Sequence, residues 1–203
     1  MIRCAITDRR LFGSDEAGRS AALITLAARW AQEGMDYIQL REKDLAAAPL
    51  AALARAMLKA IGNSPTKLLL NSRADVALAT GAHGAHLTAS PDELTPAQVR
   101  ALYAAANQSA PLISISCHSI AEVARAHAAS VDLILFGPVF EKEIHSQPIA
   151  PGIGIAALQA ACVAAGNTPV LALGGVTEEN LAGCLTSGGA GIAGIRLFMD
   201  FRR

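Results

Sequence analysis

The sequence predicts a single-domain (β/α)8 TIM barrel over residues 1–203, on three observations. Short β-prone runs alternate with Ala-rich segments of helical period from one end to the other. Eight such runs occur, enough to close a parallel sheet through right-handed crossovers. No G-x-G-x-x-G follows the first run, "AITDRRLFG", where an open doubly wound sheet would carry its dinucleotide turn.

The strands are read at 3–7 ("RCAIT"), 36–40 ("DYIQL"), 67–70 ("KLLL"), 84–87 ("GAHL"), 112–116 ("LISIS"), 132–136 ("DLILF"), 169–173 ("PVLAL") and 190–195 ("AGIAGI"). Helical segments fill 15–34, 45–62, 73–81, 95–106, 119–129, 154–166 and 177–189. "TPAQ" and "SIAE" fit the capping box, with Thr95 or Ser119 accepting from a first-turn amide and Gln98 or Glu122 reaching back. Gly34, Gly62 and Gly81 stand where helices stop. After the eighth strand only "RLFMDFRR" follows, shorter than a full closing helix.

Composition narrows the function classes. Lys plus Arg and Asp plus Glu are both 17, so no net field draws the chain to nucleic acid or an anionic membrane, and a small soluble partner is expected. No apolar run approaches the roughly 20 residues of a membrane span, and the N-terminus lacks a secretory pattern, which points to the cytoplasm. Cys4, Cys117, Cys162 and Cys184 show no C-x-x-C pairing and read as thiols, not as a disulfide or zinc framework. The apolar stretch "AALITLAARW" suits either the core or the interface of a homodimer.

Chemistry in such a barrel gathers at the C-terminal strand ends. Gly174 and Gly175 after the seventh strand, and Ala193 and Gly194 at the end of the eighth, bare the backbone where this fold usually binds phosphate. "QLREKD" sets Arg41, Glu42 and Lys43 just past the second strand, a cluster able to hold a substrate anion. His118 lies between the fifth strand and the cap Ser119, beside a positive helix end that disfavours imidazolium and suits proton exchange near neutrality. His86, inside "GAHL", reads as a satisfied core histidine; His127 and His145 receive no role.

These residues resemble a family. "AITD", "IQLREKD", "NSRADVAL", "GAHL", "SISCHS", "LFGPVF", "LALGGV" and "GGAGIAGI" stand in the order of the thiamine phosphate synthase and TenI superfamily, across nearly the whole chain. The resemblance implies the barrel and two main activities. Synthases couple a pyrimidine pyrophosphate to thiazole phosphate with Mg²⁺, and their pattern has Asn-Asp after strand three, a second Asp after strand four and Thr-x-Thr-Lys after strand six. Here Asn71 is followed by Ser72, Pro91 stands at the second Asp with Asp92 beside it, and the loop reads "FEKEIHSQ". The TenI-like branch is similar to this chain at those points. Its members are thiazole tautomerases, which aromatise a carboxythiazole phosphate without metal by means of the histidine matching His118.

The leading expectation is therefore a tautomerase needing no cofactor. His118 is its acid/base, Gly174, Gly175, Ala193 and Gly194 bind the phosphate of a phosphorylated thiazole, and Arg41, Lys43 and Asn71 face its carboxylate and ring. A synthase using Mg²⁺ stands second, and a non-catalytic binder of thiazole phosphate or thiamine phosphate third. Arg196, where the family commonly has serine, is left without a direction.

Overall fold

The computed structural model describes residues 1–13, 15–90, 92–144 and 147–199. Every expected strand is present to within a residue at either end: β1 Ile2–Ile6, β2 Tyr37–Leu40, β3 Lys67–Asn71, β4 Gly84–Leu87, β5 Leu112–Cys117, β6 Leu133–Phe136, β9 Val170–Leu173 and β10 Gly191–Gly194. They form a closed, wholly parallel barrel in the order β1-β10-β9-β6-β5-β4-β3-β2. Between them run α1 Glu16–Gln32, α2 Ala47–Ile61, α3 Ala74–Thr80, α4 Pro96–Ala105, α5 Ile120–Ala128, α6 Ile155–Ala164 and α7 Glu178–Thr186, with a short α8, Arg196–Met199, after the last strand.

Two elements are additional to the sequence reading. Arg9–Leu11 make one 3-10 turn after β1, and the loop after β6 folds into an antiparallel hairpin, β7 Lys142–Ile144 with β8 Gln147–Ala150. Strands this short and this polar carry no period by which a sequence could announce them. The hairpin makes β9 and β10 the seventh and eighth barrel strands.

The strands read as near-continuous apolar runs because a parallel barrel covers both faces. Outward residues such as Ala5, Ile38, Leu68, Leu70, Ile113 and Ile134 pack under the helices, whereas Cys4, Ile6, Leu133, Leu135, Leu171 and Ala193 fill the interior. The apolar face of α1, with Leu23, Leu26, Ala27 and Trp30 buried, belongs to this core. Each large side chain buried this way contributes about 1.5–3 kcal/mol. Among the described residues no helix is long and apolar enough to cross a membrane, and all four cysteines are free, Cys4, Cys117 and Cys184 being buried.

Local signals hold with one exception. Thr95 and Gln98 close the capping box of α4, the Thr95 amide donating to Gln98 Oε1 at 2.8 Å. At α5 the Ser119 hydroxyl accepts from the Glu122 amide, but Glu122 passes the cap and takes the amide of His118 at 2.5 Å. Trp30 Nε1 donates to the Phe198 carbonyl at 3.2 Å, which fastens α8 to α1.

A larger correction concerns "REKD". Glu42 is not part of an exposed anion-binding cluster, because it is buried and its carboxylate accepts from the Thr7 hydroxyl (2.6 Å), the Arg9 amide and Arg9 Nη1 (3.0 Å). Arg9, equally buried, also pairs with Asp44 at 2.7 Å and Glu16 at 2.6 Å, both half exposed. Removing Glu42 takes away the buried partner of the guanidinium, leaving only Asp44 and Glu16 on its solvent side, and deprives the Thr7 hydroxyl of its acceptor. Glu42→Ala is therefore expected to cost about 3 kcal/mol or more in urea unfolding, against ~1 kcal/mol or less for Asp44→Ala.

Candidate active site

The C-terminal strand ends enclose a cavity of about 680 Å³. Every residue singled out from the sequence lines it: His118, Arg41, Lys43, Asn71, Gly174, Gly175, Ala193 and Gly194. Arg196 lines it too, which gives that residue a direction. A smaller cavity of about 250 Å³ lies between the ends of β2 and β3 and shares Lys43 and Asn71 with the larger one.

His118 is exposed at the mouth, with its ring held from one side. Nδ1 lies 2.5 Å from the Gly137 carbonyl. A carbonyl can only accept, so Nδ1 carries the hydrogen and the neutral ring keeps its lone pair on Nε2. Nε2 meets no protein group among the described residues, so the geometry leaves a base open to the cavity. The positive helix end expected beside this ring already carries the Glu122 carboxylate, which offsets the dipole. The carbonyl, rather than the helix, orients the imidazole.

On the β9 side, Gly174 and Gly175 take φ of 91° and 62°, where a side chain is strained. A Cβ on Gly174 would come 2.7 Å from Pro138 Cα, and one on Gly175 would come 2.4 Å from the Glu141 carbonyl oxygen. The two glycines thus make the turn and also admit the β6 loop against β9. Across the cavity mouth, Arg41 and Lys43 have no carboxylate partner among the described residues and present free positive charge. Arg10, which also lines the cavity, is held by Asp8 at 2.8 Å, and that bond keeps the Asp8 carboxyl below its usual range.

Several lining groups escaped the sequence reading. Gln39 is buried, and its Nε2 has no hydrogen-bond partner among the described residues. Glu93 sits beside Asn71: its Oε2 accepts from the Ser72 hydroxyl (2.5 Å), the Thr88 amide (3.1 Å) and the Thr88 hydroxyl (3.0 Å), and the Asn71 amide donates to Ser72 Oγ at 3.1 Å. The aligned Pro91, like His145, lies outside the described residues. This donor set does not suit Mg²⁺, which takes oxygen ligands from one or two carboxylates. The residue after Asn71 is a serine, and the Glu93 carboxylate beside it already accepts three hydrogens at Oε2. Among the described residues no group of three His, Cys, Asp or Glu could hold a metal ion.

His86 is the buried histidine that its strand position predicts, yet it also forms part of the cavity floor. Its Nδ1 lies 2.8 Å from Ser114 Oγ and its Nε2 2.9 Å from Ser116 Oγ. Burial first, and then the charge of Arg41, push its pKa down to about 3. The unfolded chain therefore binds a proton near pH 6.5 that the native state refuses until about pH 3, so stability is complete above 6.5 and falls with pH below it. Between pH 6.5 and roughly 5 the loss from this residue is expected to be about 2 kcal/mol. Urea unfolding across that window should show the slope flattened in His86→Gln, with only the smaller part owed to half-buried His83, also lowered by burial, remaining.

Comparison with known proteins agrees with the geometry at the level of family. The family model described as thiamine monophosphate synthase matches residues 4–198. A Geobacter sulfurreducens protein that carries thiamine-phosphate synthase as a provisional name is 42% identical over 164 residues, covering 79% of this chain and 71% of that one. The thiamine-phosphate synthase of Thermus thermophilus is 32% identical over 167 residues, 82% of this chain and 76% of its own. The thiamine phosphate pyrophosphorylase of Pyrococcus furiosus shares the fold, with a TM-score of 0.78 at 24% identity over 96% of this chain and 85% of that one. These names belong to the coupling enzyme, the second of the sequence readings, and not to the isomerase placed first. On the family match and these identities, the chain belongs to the thiamine monophosphate synthase family, whose enzymes serve thiamine biosynthesis.

Proposed function

We propose that the chain is a thiazole tautomerase, which aromatises a carboxythiazole phosphate by moving a proton from one site on the substrate to another. The observation that carries this reading is the His118 ring: Nδ1 is anchored on the Gly137 carbonyl, and Nε2 is left open above a cavity with bare backbone and free cations on its walls. A proton shift needs one such group within reach of carbon and an anchor that holds the substrate still. His118 takes the proton at Nε2 and returns it from the same atom, and recovery of aromaticity makes the product favourable. The backbone at Gly174, Gly175, Ala193 and Gly194 takes the phosphate, with Arg196 close enough to add charge. Arg41, Lys43 and Asn71 face the carboxylate and ring.

A second reading, coupling of a pyrimidine pyrophosphate to thiazole phosphate, draws on the names of the relatives and on Lys43 and Asn71 in the cavity wall. The hydrogen-bonded Glu93 and the serine after Asn71 speak against it, because the carboxylates that would hold Mg²⁺ in that reaction are missing or engaged.

One assay separates the two. The carboxythiazole phosphate tautomer, followed by absorbance with a chelator present, should be turned over by the wild type, and His118→Ala should lose about 10²–10⁴-fold in rate. Equal rates for the two proteins, or activity only when Mg²⁺ and the pyrimidine pyrophosphate are supplied, would replace this reading by the second.

A further inference from the structure

We infer that Arg10 is a specificity residue for the phosphate of the ligand, exchanging its bond to Asp8 for one to a phosphate held on the β9 and β10 wall. The inference rests on the placement of the phosphate proposed above and concerns a residue to which that placement gives no part.

The 3-10 turn after β1 alternates what is held with what is free. Arg9 and Phe12 are buried, Arg9 on Glu42, Asp44 and Glu16, whereas Arg10 and Leu11 between them are exposed. The Leu11 amide donates to the Asp8 carbonyl and the Phe12 amide to the Arg9 carbonyl, both at 3.1 Å. The backbone of the turn is thereby fixed, while the Arg10 side chain keeps its rotamer freedom. What restrains that side chain is its fork on Asp8, with Nε at 2.8 Å from Oδ1 and Nη2 at 3.0 Å from Oδ2. The two side chains are 62% and 18% exposed. A pair so open to water is weak and easily exchanged.

The turn stands next to the wall in question. β1 lies between β2 and β10, with Ala5 in register with Gly194. The Asp8 amide donates to the Met199 sulfur at 3.3 Å, which sets α8, and with it Arg196, against the same turn. Asp8 is the one carboxylate among the described residues that line the cavity, facing Arg10, Arg41, Lys43 and Arg196. A carboxylate there opposes an anionic ligand unless a cation neutralises it, and Arg10 does so. A phosphate dianion carries more charge than a carboxylate and offers the guanidinium fork the same two-oxygen geometry, so it competes for Arg10 on favourable terms. Asp8 is not stranded by the exchange, because it reaches solvent and the Arg41 charge also acts on it.

The test measures two probes by calorimetry on the whole chain: the aromatic carboxythiazole phosphate, and the same carboxythiazole with a free hydroxyl in place of its phosphate. Arg10→Ala is expected to weaken binding of the first about 10- to 100-fold, the range for a hydrogen-bonded contact between charged groups, and to leave the second unchanged. Arg10→Lys, a point charge without the fork, should keep part of the preference. Asp8→Asn, which releases Arg10, should tighten the phosphate by up to about fivefold, and by less when Arg10 is already alanine. Equal weakening of both probes by Arg10→Ala marks a structural role and overturns the inference. Tightening by Asp8→Asn that is the same with or without Arg10 reports only the general field of the carboxylate, and it overturns the exchange. If the wild type shows no preference for the phosphorylated probe, the placement of the phosphate fails and takes this inference with it. If that preference is present and survives Arg10→Ala undiminished, this inference alone falls.

Discussion

The mouth of the barrel depends on one buried ion pair. Arg9 leaves β1 and turns back into the protein, where Glu42 at the end of β2 receives its amide and its guanidinium together with the hydroxyl of Thr7. The Thr7 oxygen in turn accepts from the Arg41 amide at 2.9 Å. A buried charge pair is tolerable only when its remaining valences are met, and here Asp44 and Glu16 complete the guanidinium from the solvent side. The bond to Arg9 is what pulls the Asp44 carboxyl down to about 2. Four segments meet at this point: β1, the 3-10 turn, the start of α1 and the loop after β2. Ile38 and Leu40 face the helices and Gln39 the cavity, and the same alternation runs on through Arg41, which lines the cavity, to Glu42, which is buried. The direction of Arg41 thus goes with the burial of the carboxylate next to it.

That arrangement also shows what a sequence can and cannot disclose. The eight barrel strands were legible because parallel strands covered on both faces are apolar almost throughout, and the helices between them carry a different period. Glu42 was not legible in the same way. Four charges in a row look like a solvated loop, and only the continuation of strand alternation past Leu40 distinguishes the buried member. Gln39 was hidden by the opposite circumstance: a single polar residue inside an apolar strand is easily taken for part of the pattern, and its open Nε2 appears only once the barrel has closed around it. Glu93 was missed because its importance lies in contacts to Ser72 and Thr88 on two other strand ends. The hairpin after β6 was missed because strands of three and four residues are too short to carry a period.

The two histidines of the cavity receive opposite polarity from the same kind of constraint. For His118 the partner is a carbonyl, which can only accept, so the ring keeps its hydrogen on Nδ1 and offers a lone pair at Nε2. For His86 the partner is a buried hydroxyl with nowhere else to donate, so the ring accepts at Nδ1 and offers its hydrogen through Ser116. Exposure separates them further. His118 stands in solvent at the mouth, whereas His86 is held neutral in the floor by burial. One ring presents a bare nitrogen and the other a hydrogen, a difference that rests on one oxygen atom behind each.

The glycine wall joins these parts into a single frame. Gly174 and Gly175 admit the loop after β6 so closely that Val139 donates to the Leu173 carbonyl at 2.8 Å and Phe140 to the Gly174 carbonyl at 3.0 Å. That same loop begins with Gly137, whose carbonyl orients His118. The tight-turn explanation of these glycines and the anchoring explanation are therefore not alternatives. A side chain at either position would push the β6 loop outward, and the carbonyl under the imidazole would move with it. The surface assigned to the phosphate and the group assigned to the proton are thus fixed to each other through two backbone hydrogen bonds. This is the precision that a proton transfer to or from carbon demands of its scaffold.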